Sequence, residues 1–373
     1  MTSKVSLVKC GSYDSGLVYA SVRKALDLLG GAGSFIRPGS LCLLKPNLLM
    51  AKAPECAITT HPEVVRAVIR ILKEINCRVI VGDSPSVWGK YIEKVDQVYE
   101  ETGIKKICLE EGAELVEFNK KRMRKDFPLI SLLDECDYYI NLPKFKTHGL
   151  TCLSGAIKNN FGLVPGTFKT ELHKNYFEPG AFANILVDIY AEARPALTIV
   201  DGIIAMEGEG PGTSGKPREL GLLLVGADCV ALDSAMAHIM GIKPKDVLTT
   251  RIAGERNLGQ ADLSMIDFVG EPLGSLSVEP FKIPLSSIKE RKIPKPIANL
   301  ARKLIRYYPC VEKDNCIQCA ACVKACPKKV IRLENNRIVI NYKGCIACFC
   351  CQEVCPNSAI KVKKSFVARL LGL

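Results

Sequence analysis

Toward its C-terminus the chain carries two copies of one cysteine pattern, and this pattern restricts the local fold more than any other feature of the sequence. Residues 316–327 and 345–356 each read Cys-x2-Cys-x2-Cys-x3-Cys-Pro, 29 residues apart, which makes them an internal repeat. Disulfides are disfavoured in the cytosol, so a dense cysteine cluster there indicates a metal centre.

The spacing within each run suits a 4Fe–4S cluster, which needs four converging thiolates. The first three cysteines of a run wrap around one cluster. The fourth, at the start of a helix, lies too far round to reach it and ligates the other cluster in two-cluster ferredoxins. The sequence therefore predicts two 4Fe–4S clusters with crossed ligand sets. The first set is Cys316, Cys319, Cys322 and Cys355; the second is Cys326, Cys345, Cys348 and Cys351.

A pair of zinc sites is the alternative interpretation of these runs. Zinc usually takes two Cys-x2-Cys pairs, or cysteine together with histidine. Two intact runs without histidine disfavour it. Cys310 and Cys350 stay unassigned, and Cys350 is interpreted as a spare thiol beside Cys351. Residues 311–363 resemble the bacterial two-cluster ferredoxins, and the resemblance implies single-electron transfer.

Composition narrows the class of protein. Hydrophobic residues make up 48% of the 373 residues and charged residues 24%, as in soluble globular proteins. No apolar run reaches the roughly 18–20 residues of a membrane span, and no secretion signal is recognisable, so we expect a cytoplasmic protein without a membrane partner. The free use of cysteine suggests an anaerobic host. The net charge of +12 favours anions and acidic partners, but no nucleic-acid motif is present.

Strand-like and helix-like segments alternate over the first 280 residues, which predicts an α/β domain with a mostly parallel sheet flanked by helices. We divide the chain into this α/β domain (1–285), a basic linker (286–309), a small α+β two-cluster ferredoxin-like domain (310–365) and a tail (366–373). The linker includes a possible short amphipathic helix over 297–307.

Three polar loops follow predicted strands: 45–47, 82–86 and the segment after 138–142. Functional loops of parallel sheets lie at the carboxyl ends of the strands, and these three loops fall there. The lysines suit a small anionic substrate such as a carboxylate, a phosphate or a nucleotide, and a histidine would supply protons near neutral pH. The alternative is a solvated basic loop. The candidate catalytic residues are Lys144, Lys146, Lys158, His148 and His173.

Acidic residues follow other predicted strands, where they could bind a divalent metal ion or serve as a proton donor. These residues are Asp83, Asp201, Glu207 and Glu209. The string Gly210–Gly215 matches a dinucleotide fingerprint, but it leads into a predicted strand rather than a helix, so we expect no dinucleotide there. No motif for a flavin is recognisable.

Seven segments of the α/β domain share a further resemblance. They are KPNLL (45–49), TTHPEVVRAVI (59–69), GDSPS (82–86), NLPKFKTH (141–148), SGAIKNNFG (154–162), DGIIAMEGEGP (201–211) and GADCVALD (226–233). These segments resemble the family labelled domain of unknown function 362, which is often fused to a two-cluster ferredoxin. The resemblance implies an iron–sulfur redox protein and no specific reaction.

Two functions are compatible with these patterns. In the first, the clusters feed electrons to a small anionic substrate in the α/β domain, as in a reductase. In the second, the protein is an electron-transfer subunit that serves a separate redox enzyme, with the α/β domain as a docking module. The sequence does not indicate an oligomeric state.

Overall fold

The computed structural model describes residues 3–85, 94–166, 168–276, 278–284, 287 and 307–367. Most of the predicted basic linker with its amphipathic helix, the end of the predicted tail and Ser86 lie outside the described residues. We call residues 3–287 the large domain and residues 307–367 the small domain.

Twelve strands are described in the large domain. In chain order they are β1 (Ser3–Lys9), β2 (Leu41–Pro46), β3 (Arg78–Asp83), β4 (Glu114–Glu117), β5 (Lys121–Arg124), β6 (Phe127–Ile130), β7 (Tyr138–Leu142), β8 (Lys144–His148), β9 (Cys152–Ser154), β10 (Leu197–Gly208), β11 (Gly215–Gly226) and β12 (Ile266–Gly270).

Ten of these strands form one sheet, in the order β12-β1-β11-β10-β7-β2-β3-β4, with β8 beside β10 and β9 beside β8. Only β9 and β11 run against the others. The predicted mostly parallel sheet is therefore confirmed. β5 and β6 form a separate hairpin.

Helices cover both faces of the sheet. In chain order they are α1 (Ser15–Asp27), α2 (Pro62–Glu74), α3 (Val95–Glu101), α4 (Ile104–Glu111), α5 (Leu132–Glu135), α6 (Ala156–Asn159), α7 (Phe168–Asn175), α8 (Pro179–Glu192), α9 (Cys229–Ile239) and α10 (Leu248–Glu255). Side chains of a strand alternate between faces. Val79 and Val81 accordingly pack with α1 and α2, whereas Ile80 packs in the layer that contains α8.

The small domain is α+β, as predicted. Its elements are β13 (Tyr307–Val311), α11 (Ala321–Ala325), β14 (Ile331–Glu334), β15 (Arg337–Ile340), α12 (Cys350–Glu353) and β16 (Ile360–Lys364). β13 pairs with β16, and β14 with β15, both antiparallel. β13 begins at Tyr307, so its first three residues fall within the predicted linker, because Tyr307 pairs with Lys364 in the ladder.

Candidate functional site

A polar cleft lies where β2 and β3 end, and the small domain closes one side of it. Its cavity volume is about 80 Å³, which leaves room for a few water molecules or one small anion. We call it the cationic cleft. Its lining residues are Lys45, Asn47, Leu48, Leu49, Asp83, Ser84, Ser154, Lys158, Asn159, Phe161, Gly162, Lys169, His173 and Glu353.

A buried ion pair forms the floor of the cationic cleft. Lys45 Nζ lies 2.9 Å from Asp83 Oδ1, and both side chains are almost fully buried. The two residues lie at the ends of the neighbouring parallel strands β2 and β3, which brings their loops together. A Cβ on Gly162 would lie 2.3 Å from Asp83 Oδ1 and 2.4 Å from Lys45 Nζ. Only glycine therefore fits against this pair.

Glu353 of α12 reaches into a group of basic side chains. His148 Nδ1 accepts a hydrogen bond from the Leu150 amide at 3.0 Å, so the neutral ring carries its proton on Nε2. That nitrogen lies 3.4 Å from Glu353 Oε1, without hydrogen-bond geometry. Burial raises the pKa of Glu353, and the charges of Lys158 and Lys146 oppose the rise.

The two predicted lysines beside Glu353 differ in their partners. Lys146 is fully buried on β8, and its Nζ donates to the Ile58 carbonyl at 2.7 Å. Lys158 is half-buried and lies over the Phe161 ring, 5.8 Å from its centroid. Within the described ranges its ammonium makes no hydrogen bond. Lys158 is therefore free to bind an anion.

The histidines do not titrate where the sequence predicts. Burial lowers the pKa of His173 to about 3, and its ring stacks on Phe182 with centroids 4.4 Å apart. Burial also holds the pKa of His148 well below its usual value. Both rings are neutral near pH 7. In the cleft lining, Lys169 has a pKa near neutrality: burial lowers it to about 7, and its Nζ donates to the Ser84 carbonyl.

Lys144 lies outside the cleft lining and belongs to a separate buried network. Its Nζ donates to Asp201 Oδ2 at 2.8 Å and to Tyr13 Oη at 2.7 Å. Tyr13 in turn donates to Asp201 Oδ1 at 2.7 Å and stacks on His61 at 3.5 Å. Lys144 and Lys146 are both buried, so the alternative of a solvated basic loop does not hold for β8.

Three of the four predicted acidic residues lie in separate ion pairs. Asp83 pairs with Lys45, Asp201 with Lys144, and Glu207 with Arg218 at 2.7 Å. In the part of the chain that the structure describes, no three His, Cys, Asp or Glu side chains are arranged to hold a single metal ion.

The first predicted ligand set lines one cavity of the small domain: Cys316, Cys319, Cys322 and Cys355. Burial raises the pKa of Cys322 to about 12, and the nearby thiols of the other three add to the rise. Around Cys351, the close thiols include all three other members of the second set. The Ala359 amide donates to Cys355 Sγ at 3.1 Å. A donor set made only of sulfur, with an amide directed at a ligand, suits an iron–sulfur cluster.

Comparisons with known proteins agree with both domains. A family model described as "domain of unknown function (DUF362)" matches residues 42–238, more than half of the chain. The chain belongs to the DUF362 family. A "4Fe-4S dicluster domain" model matches residues 308–356, so this DUF362 protein carries an iron–sulfur, electron-transfer module.

A curated relative is the "thylakoid-associated protein" of Synechocystis sp. It is 36% identical over 266 residues, which cover 69% of this chain and 80% of the relative. Among its described helices, this DUF362 protein has none that is long and apolar enough to cross a bilayer.

A turn of the large domain holds the small domain in place. Gly210–Gly215, the rejected dinucleotide string, connects β10 to β11 and is not followed by a helix. Thr213 Oγ1 donates to the Cys355 carbonyl at 2.5 Å, and Ser358 Oγ donates to the Thr213 carbonyl at 2.5 Å. A Cβ on Gly212 would lie 2.6 Å from the Glu353 carbonyl oxygen. We call residues 210–215 the docking turn.

Sequence reasoning missed Glu353, although the repeat contains a signal for it. When the two runs are aligned, Glu353 takes the position of Lys324. This is a reversal of charge between two positions that are otherwise equivalent. Lys45 and Lys169 lie in segments that the sequence singled out, but neither was placed in the catalytic set.

Proposed function

We propose that this DUF362 protein holds two 4Fe–4S clusters and passes single electrons to a small anion in the cationic cleft, as in a reductase. One observation carries the proposal. Glu353, two residues from both Cys351 and Cys355, lines the cleft together with Lys158 and Lys169. The proposed cluster ligands and the proposed substrate site are therefore joined by one short stretch of chain.

The crossed ligand sets are part of the proposal. Cys316, Cys319, Cys322 and Cys355 would hold the first cluster, which their shared cavity supports. Cys326, Cys345, Cys348 and Cys351 would hold the second, supported by the proximity of their thiols. When bound, the clusters supply and accept electrons one at a time.

The cleft lining favours a carboxylate or a phosphate. Lys158 offers an ammonium without a hydrogen-bond partner, and Lys169 adds a second cation on the same wall. Charge-assisted hydrogen bonds of this kind are short and strong in a partly desolvated site. His173 Nδ1, which is buried and unpartnered, adds a further polar atom to the lining.

Protons for the reduction come from the cleft wall. A two-electron reduction takes up two electrons, one at a time, and two protons. Lys169, with its pKa of about 7, changes between the ammonium and amine forms near neutral pH and is the proposed donor. The neutral His148, with its proton on Nε2, lies 3.4 Å from Glu353 and is not a proposed proton donor.

Anaerobic titration of the holoprotein with sulfate tests the anion site. Lys158→Gln should weaken binding about tenfold, the effect of losing one charge-assisted hydrogen bond. Lys106→Gln removes the same charge from an exposed helix position and should leave the affinity unchanged. If the two variants bind equally well, or if the protein binds no sulfate, the cleft is not an anion site. Mass spectrometry of small molecules that copurify under anaerobic conditions would then identify the substrate.

A second candidate function is that of an electron-transfer subunit, which the exposure of Cys319 favours. Stoichiometric copurification with another redox enzyme, without any bound small molecule, would support it over the reductase. A cytoplasmic location is part of our proposal, and cell fractionation tests it against the membrane association that the relative's name describes.

A further inference from the structure

We propose that the exposed loop of the first cysteine run, residues 315–319, is the docking surface for a small acidic electron-carrier protein. The inference rests on the proposed clusters but not on the cleft. In this proposal electrons enter the molecule at the first run, and the second run does not serve as an entry point.

Exposure is the first argument. Cys319 is exposed, and its neighbour Ile317 leaves 59% of its surface in water. Ile317 also lines the cavity formed by the first cysteine set. In contrast, Cys348, Phe349 and Cys351 of the second run are all buried. Of the two runs, only the first presents a ligand loop to a partner.

The second run is covered by the large domain. Ile346 and Phe349 share a cavity with Leu150 and Phe177 of that domain. The docking turn holds the adjacent Cys355 carbonyl. A protein partner could reach the second run only by displacing these contacts, whereas the first run needs no rearrangement.

The shape of the loop surroundings suits a protein partner. Ile338 of β15 lines the same cavity as Ile317, so the β14–β15 hairpin borders the loop. On that hairpin Leu333, the cross-strand partner of Ile338, is exposed by 42% and lies on the same face. Exposed apolar side chains around a redox centre, within a polar surface, are typical of the centre of a protein interface.

The net charge of the small domain favours an acidic partner, although Glu312 and Asp314 flank the loop itself. Residues 307–367 contain ten Lys and Arg but four Asp and Glu, one of which, Glu353, lies in the cleft. An oxidised cluster with four thiolates carries about −2, so two clusters would leave the small domain positive. Opposite charge steers two proteins together and raises their association rate, an effect that salt weakens.

The test is anaerobic stopped-flow reduction of the oxidised holoprotein by a small acidic two-cluster ferredoxin that has been reduced beforehand. We expect a second-order rate that falls at least about tenfold between low and high salt. Ile317→Glu should slow this reduction about tenfold or more at low salt. Met123→Glu, at a site on β5 with a similar exposure of 57%, adds the same charge and should have little effect. Photoreduced deazaflavin, a small reductant, should reduce both variants at the wild-type rate.

A rate that does not depend on salt, or equal rates for the two variants, would overturn the proposal. If Ile317→Glu loses iron, Gln318→Glu decides, because Gln318 is exposed on the same loop and the change adds a charge without changing size. Reduction by the ferredoxin at the wild-type rate in Gln318→Glu would overturn the docking surface, and slowed reduction would support it. All of these measurements follow reduction of the clusters and do not depend on the cleft. A protein that binds no sulfate but shows the expected reduction rates would therefore contradict only the proposed reductase function.

Discussion

The two cysteine runs have the same spacing and the same backbone path but different surroundings. Gln318 and Ala320 of the first run adopt left-handed backbone conformations, and so do their equivalents Ala347 and Phe349 in the second. The first run faces water and the second faces the large domain. Because the two runs share their ligand pattern, only the side chains between the ligands can determine the direction in which electrons pass through the pair of clusters.

Two differences between the side chains of the runs determine this direction of electron transfer. Phe349 and Cys350 replace Ala320 and Ala321, and this bulk is buried on the side of the large domain. Glu353 replaces Lys324, which exchanges a cation on an exposed residue for a carboxylate in the cationic cleft. The two runs therefore have the same pattern of cluster ligands but different contacts with the rest of the protein.

The substitution with the largest expected effect gives the second run the residue that the first run has at the equivalent position. Glu353→Lys places a cation among Lys146 and Lys158, and an unpaired buried charge costs roughly 3–5 kcal/mol. We expect a corresponding loss in the free energy of unfolding of the holoprotein in denaturant, with loss of hydrogen-exchange protection in the docking turn. Lys324→Glu, the reciprocal change at an exposed position of the first run, should shift both quantities little. Equal effects of the two substitutions would contradict the proposed asymmetry.

Gly212→Ala tests the contact between the docking turn and α12. The new Cβ would lie 2.6 Å from the Glu353 carbonyl oxygen, a backbone atom that cannot move alone. We expect a loss of about 1–3 kcal/mol in the free energy of unfolding, typical of overpacking. Gly274→Ala has nothing within 4 Å and serves as the control. An unchanged Gly212→Ala variant would mean that the domains do not dock through this turn.

The pKa of Lys169 predicts how anion binding in the cationic cleft depends on pH. The ammonium form binds anions and is lost as pH rises through about 7, so sulfate affinity should fall by about tenfold from pH 6 to pH 8. The depressed pKa also means that the unfolded chain holds this proton up to higher pH. The contribution of Lys169 to stability therefore rises with pH above about 7. Lys169→Gln should flatten both profiles, and an unchanged pH profile of affinity would assign the titration to another group.

Thr213→Val is expected to have the smallest effect. It removes the hydrogen bond to the Cys355 carbonyl, worth about 1 kcal/mol, but keeps the Thr213 carbonyl that Ser358 contacts. Equilibrium unfolding of the holoprotein measures the difference. A loss as large as that of Gly212→Ala would show that the hydrogen bond, rather than the close approach at Gly212, holds the domains together.

Local patterns predicted much of this molecule from sequence. The alternating elements predicted the mostly parallel sheet, and the placing of polar loops at strand ends identified the segments that contain Lys45 and Asp83, although not their ion pair. The separation of Lys144 from Lys146 was not predictable, because it depends on Tyr13, which is distant in sequence. The low pKa values of His148 and His173 arise from tertiary burial, which a sequence pattern does not specify.

The central claim is that an anion in the cationic cleft lies next to an iron–sulfur cluster. Pulsed electron–nuclear double resonance of the reduced holoprotein, saturated with inorganic phosphate, tests it directly. We predict a ³¹P hyperfine coupling to a reduced cluster, and when the phosphate concentration is lowered this coupling should be lost first in Lys158→Gln and persist in Lys106→Gln. Bound phosphate without any such coupling would contradict the account.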